Sequence, residues 1–200
     1  MPYDLLRIDH RIIGEIIHRG AKVIDLGCGG GELLYHLANV KNAAVQGIEL
    51  NESAIYKCVE KGLSVMHGDL DNGLSGFPDK SFDYVILNQS LQQVRKVEYV
   101  IKETFRIGNK VIIGFPNFAH LKARAMLFFG GKAPVTGALP DKWHETPNLR
   151  FLSIKDFKEF CSIRGIKVEK AYYLGKYGTI SLLPNLFTRN AVFVLSKETK

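Results

Sequence analysis

The stretch KVIDLGCGGGE, Lys22 to Glu32, decides the reading of this chain. An apolar run ends on a carboxylate, Asp25, and glycines follow at 27, 29, 30 and 31. The run reads as a strand buried on both faces. Leu33, Leu34 and Leu37 then fall on one face of a helix. A strand that turns into a helix through glycines permits positive φ and close approach to the main chain. The helix start adds free N–H groups that suit an anion. The dinucleotide fingerprint G-x-G-x-x-G would need glycine at 32, where Glu32 stands. An acid there suits a pyrophosphate poorly. Asp25, two residues ahead of the first glycine, asks for a ligand with a cationic or donor-rich part.

Working outward, Ile8, Ile12, Ile13, Ile16 and Ile17 predict a preceding helix, with Asp9 as N-cap and Gly20 as its stop. Beyond the glycines, AVQGIEL is a second strand, and residues 51–61 form a helix capped by Asn51. LSVMHGDL is a third strand and FDYVILN a fourth, followed by a helix over about 97–107. KVIIGFP is a fifth strand, stopped by Pro116. Residues 117–150 have no clean period, though part of them, around 119–129, suits a helix. Ser153-Ile154-Lys155-Asp156 is a capping box opening a helix to about Arg164. KVEKAYYL and NAVFVLS close the chain as two strands. Alternating strands and helices imply right-handed crossovers. The expected fold is α/β: a Rossmann-like, doubly wound, mostly parallel seven-stranded sheet with an antiparallel C-terminal edge hairpin. The whole chain, 1–200, reads as one domain with a lid or insert at about 116–150.

Composition sets bounds on function. Hydrophobic residues make up 46% of the chain, an ordinary share for a globule. No apolar run approaches the roughly 20 residues that span a bilayer, so no membrane is expected. Cys28, Cys58 and Cys161 lie far apart, without metal-ligand spacing or an even-numbered framework, so neither a metal nor a disulfide is expected. That usage, with an N-terminus unlike a signal peptide, points to the cytoplasm. Residues 1–80 hold 8 Lys/Arg against 11 Asp/Glu, and residues 81–200 hold 19 against 9. The basic second half reads either as a solvated surface or as a face for an anionic substrate, an acidic partner or RNA. No basic run or RNA-binding aromatic motif supports nucleic acid.

Three acids stand at successive strand ends: Asp25, Glu49 and Asp69. Ligands of such sheets bind beyond the carboxyl ends of the strands. Glu49, about 20 residues past the loop, suits both hydroxyls of a ribose. Asp69 with Leu70 suits an adenine amino group and ring. The constellation resembles the class I S-adenosylmethionine-dependent methyltransferases, whose acid-x-Gly-x-Gly-x-Gly turn stands here as Asp25-Leu26-Gly27-Cys28-Gly29-Gly30-Gly31. The resemblance implies S-adenosylmethionine as cofactor. Its methionine part would lie on the loop at Asp25, Gly27, Cys28, Gly29 and Gly31, its ribose at Glu49 and its adenine at Asp69 and Leu70, with Leu50 also a cofactor-binding position. Asn88 would reach the methyl side.

Longer stretches are similar to the methionine-biosynthesis MetW family: GDLDNGLSGFPDKSFDYVILNQSLQQV (68–94), FPNFAHLKARAMLFFGGKAPVTGALP (115–140) and WHETPNLRFLSIKDF (143–157). In that family an Asp often stands where this chain has Gly30, a small departure that leaves the loop's role intact. The resemblance implies a methyltransferase-like protein of methionine biosynthesis, associated with a homoserine O-acyltransferase whose activity it supports.

Methyl transfer from a sulfonium needs alignment and water exclusion more than a fixed base. Asn88-Gln89-Ser90 ends the fourth strand on the substrate side, and the chain lacks the Asn/Asp-Pro-Pro-aromatic motif of amine methylation. Asn88 and Gln89 read equally as substrate contacts or as amides that satisfy the loop. His120 and His144, in the segment expected to cover the site, are candidates for a base or for simple loop hydrogen bonding. Phe128-Phe129 reads as core or as an apolar patch for a partner. The acceptor is expected to be a small molecule.

Overall fold

Strands and helices alternate along the chain because short, continuously apolar runs are separated by segments of helical period. The computed structural model describes residues 7–197. Helix α1 (Ile8–Ile16) leads into β1 (Lys22–Leu26), and α2 (Glu32–Lys41) into β2 (Ala44–Glu49). Helix α3 (Glu52–Glu60), β3 (Val65–His67), β4 (Phe82–Asn88), α4 (Val97–Ile107) and β5 (Gly108–Pro116) follow. The chain ends with α5 (Leu121–Gly130), α6 (Ile154–Ile163), β6 (Ile166–Leu174), α7 (Pro184–Phe187) and β7 (Asn190–Lys197).

The seven strands form one sheet in the order β3-β2-β1-β4-β5-β7-β6. Pairings from β3 through β5 are parallel, and β7 runs antiparallel to both β5 and β6. The expected edge hairpin is therefore present, with β7 inserted between β5 and the edge strand β6. Winding reverses between β1 and β4, and the crevice above that point is where open α/β sheets hold ligands. Strand β3 keeps only three residues, because an edge strand pairs on one side and its Met66 is half exposed.

Alternate side chains of the central strands feed opposite faces. Ile24, Leu26, Val85, Leu87, Val111 and Ile113 pack with α4 and α6, joined by stacked Phe115 and Phe193. Val23, Ile86, Ile112 and Val192 pack with Ile12, Ile13 and Ile17 of the α1 region and with Leu33 and Leu37 of α2. Asn51 caps α3 by accepting from the Ala54 N–H. Ser153 and Asp156 close their capping box on α6 in both directions.

Two expectations about α1 are corrected. Asp9 is not its N-cap; Arg7 holds that position without a side-chain cap bond, and Asp9 lies in the first turn, buried. The cause is pairing: Arg7 binds both carboxylate oxygens of Asp9 at 3.1 and 2.7 Å, and Asn88 Nδ2 donates to Oδ2 at 2.9 Å. Gly20 does not end the helix, which stops at Ile16; with φ of +74° it shapes the turn into β1.

Candidate cofactor site

The site begins with the glycine loop between β1 and α2. Gly27 has φ of +79°, and a Cβ there would stand 2.6 Å from Ser90 Cβ. Gly31, the N-cap of α2, has φ of +78°, and a Cβ would meet Leu63 at 2.6 Å and Cys58 Sγ at 2.8 Å. These two glycines are required by the protein's own packing. Gly29 differs: its φ is +54°, and a Cβ there would meet nothing within 4 Å. Gly29 also lines the cleft above the loop. Lys61, at the end of α3, secures the loop from behind by donating to the Gly30 carbonyl and pairing with Glu32 at 3.0 Å. Glu32 thus has its own cation.

Above the loop lies a cleft of about 560 Å³, and its wall includes Asp25, Gly27, Cys28, Gly29, Glu49, Leu50, Asp69, Leu70, Asn88 and Gln89. Nine of the ten positions expected to hold a cofactor thus meet there; Gly31 lies behind the wall instead. Asp25 is 3% exposed, and its Oδ1 has no hydrogen-bond partner among the described residues. Burial first, then the carboxylates of Glu49 and Asp9, pushes its pKa up to about 7. Glu49 is fixed by three backbone donors. Gly29 N–H donates to Oε2 at 2.8 Å, while Leu50 and Asn51 N–H donate to Oε1, both at 2.9 Å. Asp69 accepts from the Asp71 N–H at 2.9 Å and starts a short 3-10 turn at Leu70. Asp71 accepts from the N–H groups of Arg95 and Lys96, tying that turn to the start of α4.

At the end of β4, Gln89 has φ of +63°, a strained conformation for a side chain of its size. Its carbonyl accepts from Gln92 at 2.8 Å, its N–H donates to Gly114 O at 2.7 Å, and its side-chain Nε2 is buried without a partner among the described residues. Ser90 Oγ is likewise buried and unpartnered among the described residues. Asn88 turns its Nδ2 to Asp9, while its Oδ1 crowds the Gly114 backbone.

Sequence reasoning missed the part played by α1. Arg7 and His10 line the cleft, and Asp9 bonds to Asn88 from within that helix. Burial alone would raise the Asp9 pKa; Arg7, His10 and the Asn88 amide outweigh it and hold the carboxylate below its ordinary value. Burial, partly opposed by Asp9, keeps His10 below the usual histidine range. A buried polar residue inside the isoleucine stripe at positions 8–17 was the available signal, and a cap reading absorbed it.

None of residues 116–150 is in the cleft wall. His120 and His144 therefore stand outside it. His120 caps α5, its Nδ1 accepting from the Lys122 N–H at 3.1 Å. His144 is exposed, 3.6 Å from Glu145 and edge-on to Trp143. Cys28 packs toward Gly47, and burial with the nearby Asp25 pushes its thiol pKa far up, so it is no thiolate nucleophile.

The family model described as methionine biosynthesis protein MetW matches residues 7–195. The chain belongs to the MetW family. A relative in Rhodopirellula baltica, the bifunctional methionine biosynthesis protein MetXA/MetW, is 32% identical over 100% of this chain. The chain spans 34% of that protein's length, so the MetW-like part is one portion of a larger polypeptide. The demethylmenaquinone methyltransferase of Anoxybacillus flavithermus is 28% identical over 58% of this chain and 57% of its own length. Among solved structures, a SAM-dependent methyltransferase of Thermotoga maritima, a possible histamine N-methyltransferase, superposes with a TM-score of 0.67. It covers 94% of this chain and 87% of its own at 17% identity, which shows the shared fold. Among the described residues, no helix is long and apolar enough to cross a membrane.

Proposed function

We propose that this MetW-family chain binds S-adenosylmethionine in the cleft and transfers its methyl group to a small acceptor. It would do so in methionine biosynthesis, beside a homoserine O-acyltransferase. The observation that carries the reading is the buried Asp25 Oδ1, unpartnered among the described residues, in a cleft wall that also holds Glu49. A donor-rich, cationic ligand satisfies such a wall; an anionic one does not. The residues present fit this cofactor. Asp25 suits the ammonium of its amino-acid part, the fixed Glu49 carboxylate suits the ribose hydroxyls, and Asp69 with Leu70 suits the adenine. When bound, the cofactor supplies a methyl group already activated on sulfonium sulfur. The chain's own work is orientation. Glu49 is held by three N–H groups before any ligand arrives, so little ordering is left to do on binding. Gln89 and Ser90, with unsatisfied polar atoms near the end of β4, are the candidate contacts to the acceptor.

The fused relative supports the acyltransferase partnership, because two functions carried on one polypeptide work at one place. A second reading treats the cofactor as a signal of end-product level rather than as a methyl donor. The bond of the Asn88 Nδ2 to Asp9 favours it, since it spends the donor of that amide inside the protein.

Radiolabelled cofactor incubated with a metabolite panel, with and without the acyltransferase, separates the two. Methyl transfer reaches a small molecule under the first reading and slows in Gln89→Ala. Absence of transfer, together with cofactor-dependent change in acyltransferase turnover, selects the second. If neither transfer nor any effect on the acyltransferase is seen, both readings fail.

A further inference from the structure

We propose that the aromatic face of α5 and the segment after it, centred on Phe128, Phe129 and Trp143, is the docking surface for the acyltransferase. This rests on the partnership proposed above and adds where the contact is made. Of the ten residues of α5 only Ala123 is buried. Phe128 and Phe129 are 83% and 84% exposed and meet edge to face at 4.9 Å. Trp143 is 77% exposed, and Leu121 and Leu127 are also open. An apolar helix with almost no core to face is an unfinished contact.

The segment is anchored rather than loose. Asn117 Nδ2 donates to the Asn185 and Thr188 carbonyls, and Phe118 packs on Phe151 at 4.8 Å. At the far end, the N–H groups of Leu149 and Arg150 both donate to Gln92 O. Held at both ends and absent from the cleft wall, the segment presents its rings outward. An aromatic side chain offers roughly 150–250 Å². Phe128 and Phe129, in contact and this exposed, supply on the order of 300 Å² by themselves, over a third of the ~800 Å² that each partner buries in a standard interface.

Charge selects the occupant. Residues 117–150 hold Lys122, Arg124, Lys132, Lys142 and Arg150 against Asp141 and Glu145. A second copy would bring the same basic segment and be repelled, whereas an acidic partner is steered in. The fused relative supplies the identity of that partner: the domain's companion there is the MetXA portion.

The test measures binding of the purified homoserine O-acyltransferase of the same organism to the full chain and to the Phe128→Ser/Phe129→Ser variant. S-adenosylhomocysteine binding serves as the check on folding. The variant is expected to lose affinity by roughly 30-fold or more while cofactor binding is unchanged. Lys122→Glu/Lys132→Glu is expected to slow association and flatten its salt dependence. Equal binding by wild type and the serine variant overturns this face and leaves the partnership standing. Failure of the wild type to bind the acyltransferase overturns the partnership and this proposal with it. Self-association of the wild type, or oligonucleotide binding that the serine variant loses, assigns the face to another occupant and also overturns it.

Discussion

Asp25 shows at the scale of one residue how site and stability compete. Its carboxyl is held near pH 7 by burial and by two neighbouring carboxylates, whereas in the unfolded chain it titrates near 3.8. Below about pH 4 the group is protonated in both states and costs nothing. As pH rises from there to 7, the unfolded state gives up its proton first, so the folded state loses stability across that window and levels off above it. The cost is on the order of 4 kcal/mol at most. Asp25→Asn is therefore expected to raise the ligand-free denaturation midpoint at pH 8, with a smaller gain at pH 5, and to weaken cofactor binding. Chemical denaturation at the two pH values checks the first part. A variant less stable than wild type at pH 8 would contradict it. Binding of a cationic ligand should expel the proton. Affinity is then expected to climb between pH 5.5 and 7 and flatten beyond, with calorimetric proton release at pH 6. For Glu49→Ala, loss of charge-assisted hydrogen bonds of about 1.5–3 kcal/mol each is expected to weaken S-adenosylhomocysteine roughly 10- to 150-fold. An unchanged dissociation constant would remove Glu49 from the site.

At the scale of the element, local chemistry made most of the fold legible. The Asn51 cap and the Ser153–Asp156 capping box operate as sequence rules require, because their partners lie within four residues, and β5 ends at Pro116. Ser153→Ala is expected to cost about 1 kcal/mol in urea denaturation, with unchanged cofactor affinity. A cost below 0.3 kcal/mol would mean that the cap bond matters little. Gly27→Ala is expected to cost about 1–2 kcal/mol for its positive φ, plus the displacement of Ser90. Both stability and cofactor binding should fall in that variant, and a neutral result would contradict the crowding described for the loop. What stayed hidden was decided at long range. Asp9 looked like a cap, but its partner Asn88 is 79 positions away, and no local pattern encodes that bond. The glycines at 27 and 31 read as room for a ligand, yet Ser90, Leu63 and Cys58 crowd them from distant parts of the chain.

On the scale of the whole molecule, topology gathered what the sequence had marked singly. Strand order β3-β2-β1-β4 sets the ends of β1, β2 and β4 side by side, with Asp69 just past β3, so acids far apart in the chain share one wall. The segment 116–150, expected as a lid or insert, is fastened to Gln92 and to the α7 region and contributes no residue to this wall, while α1 does. Its direction could not be read from composition, since an apolar loop packs equally well over a site or onto a partner. Two surfaces result, an acidic cleft and an aromatic face on a basic segment, suited to different ligands. The cleft is the claim on which the function depends. A crystal structure of the chain with S-adenosylhomocysteine bound tests it most directly. The amino group is predicted to lie beside Asp25, the ribose hydroxyls on Glu49, the adenine between Asp69 and Leu70, and the sulfur toward Gln89 and Ser90. A ligand bound elsewhere, or the same cleft filled by the chain's own side chains at saturating ligand, would contradict it.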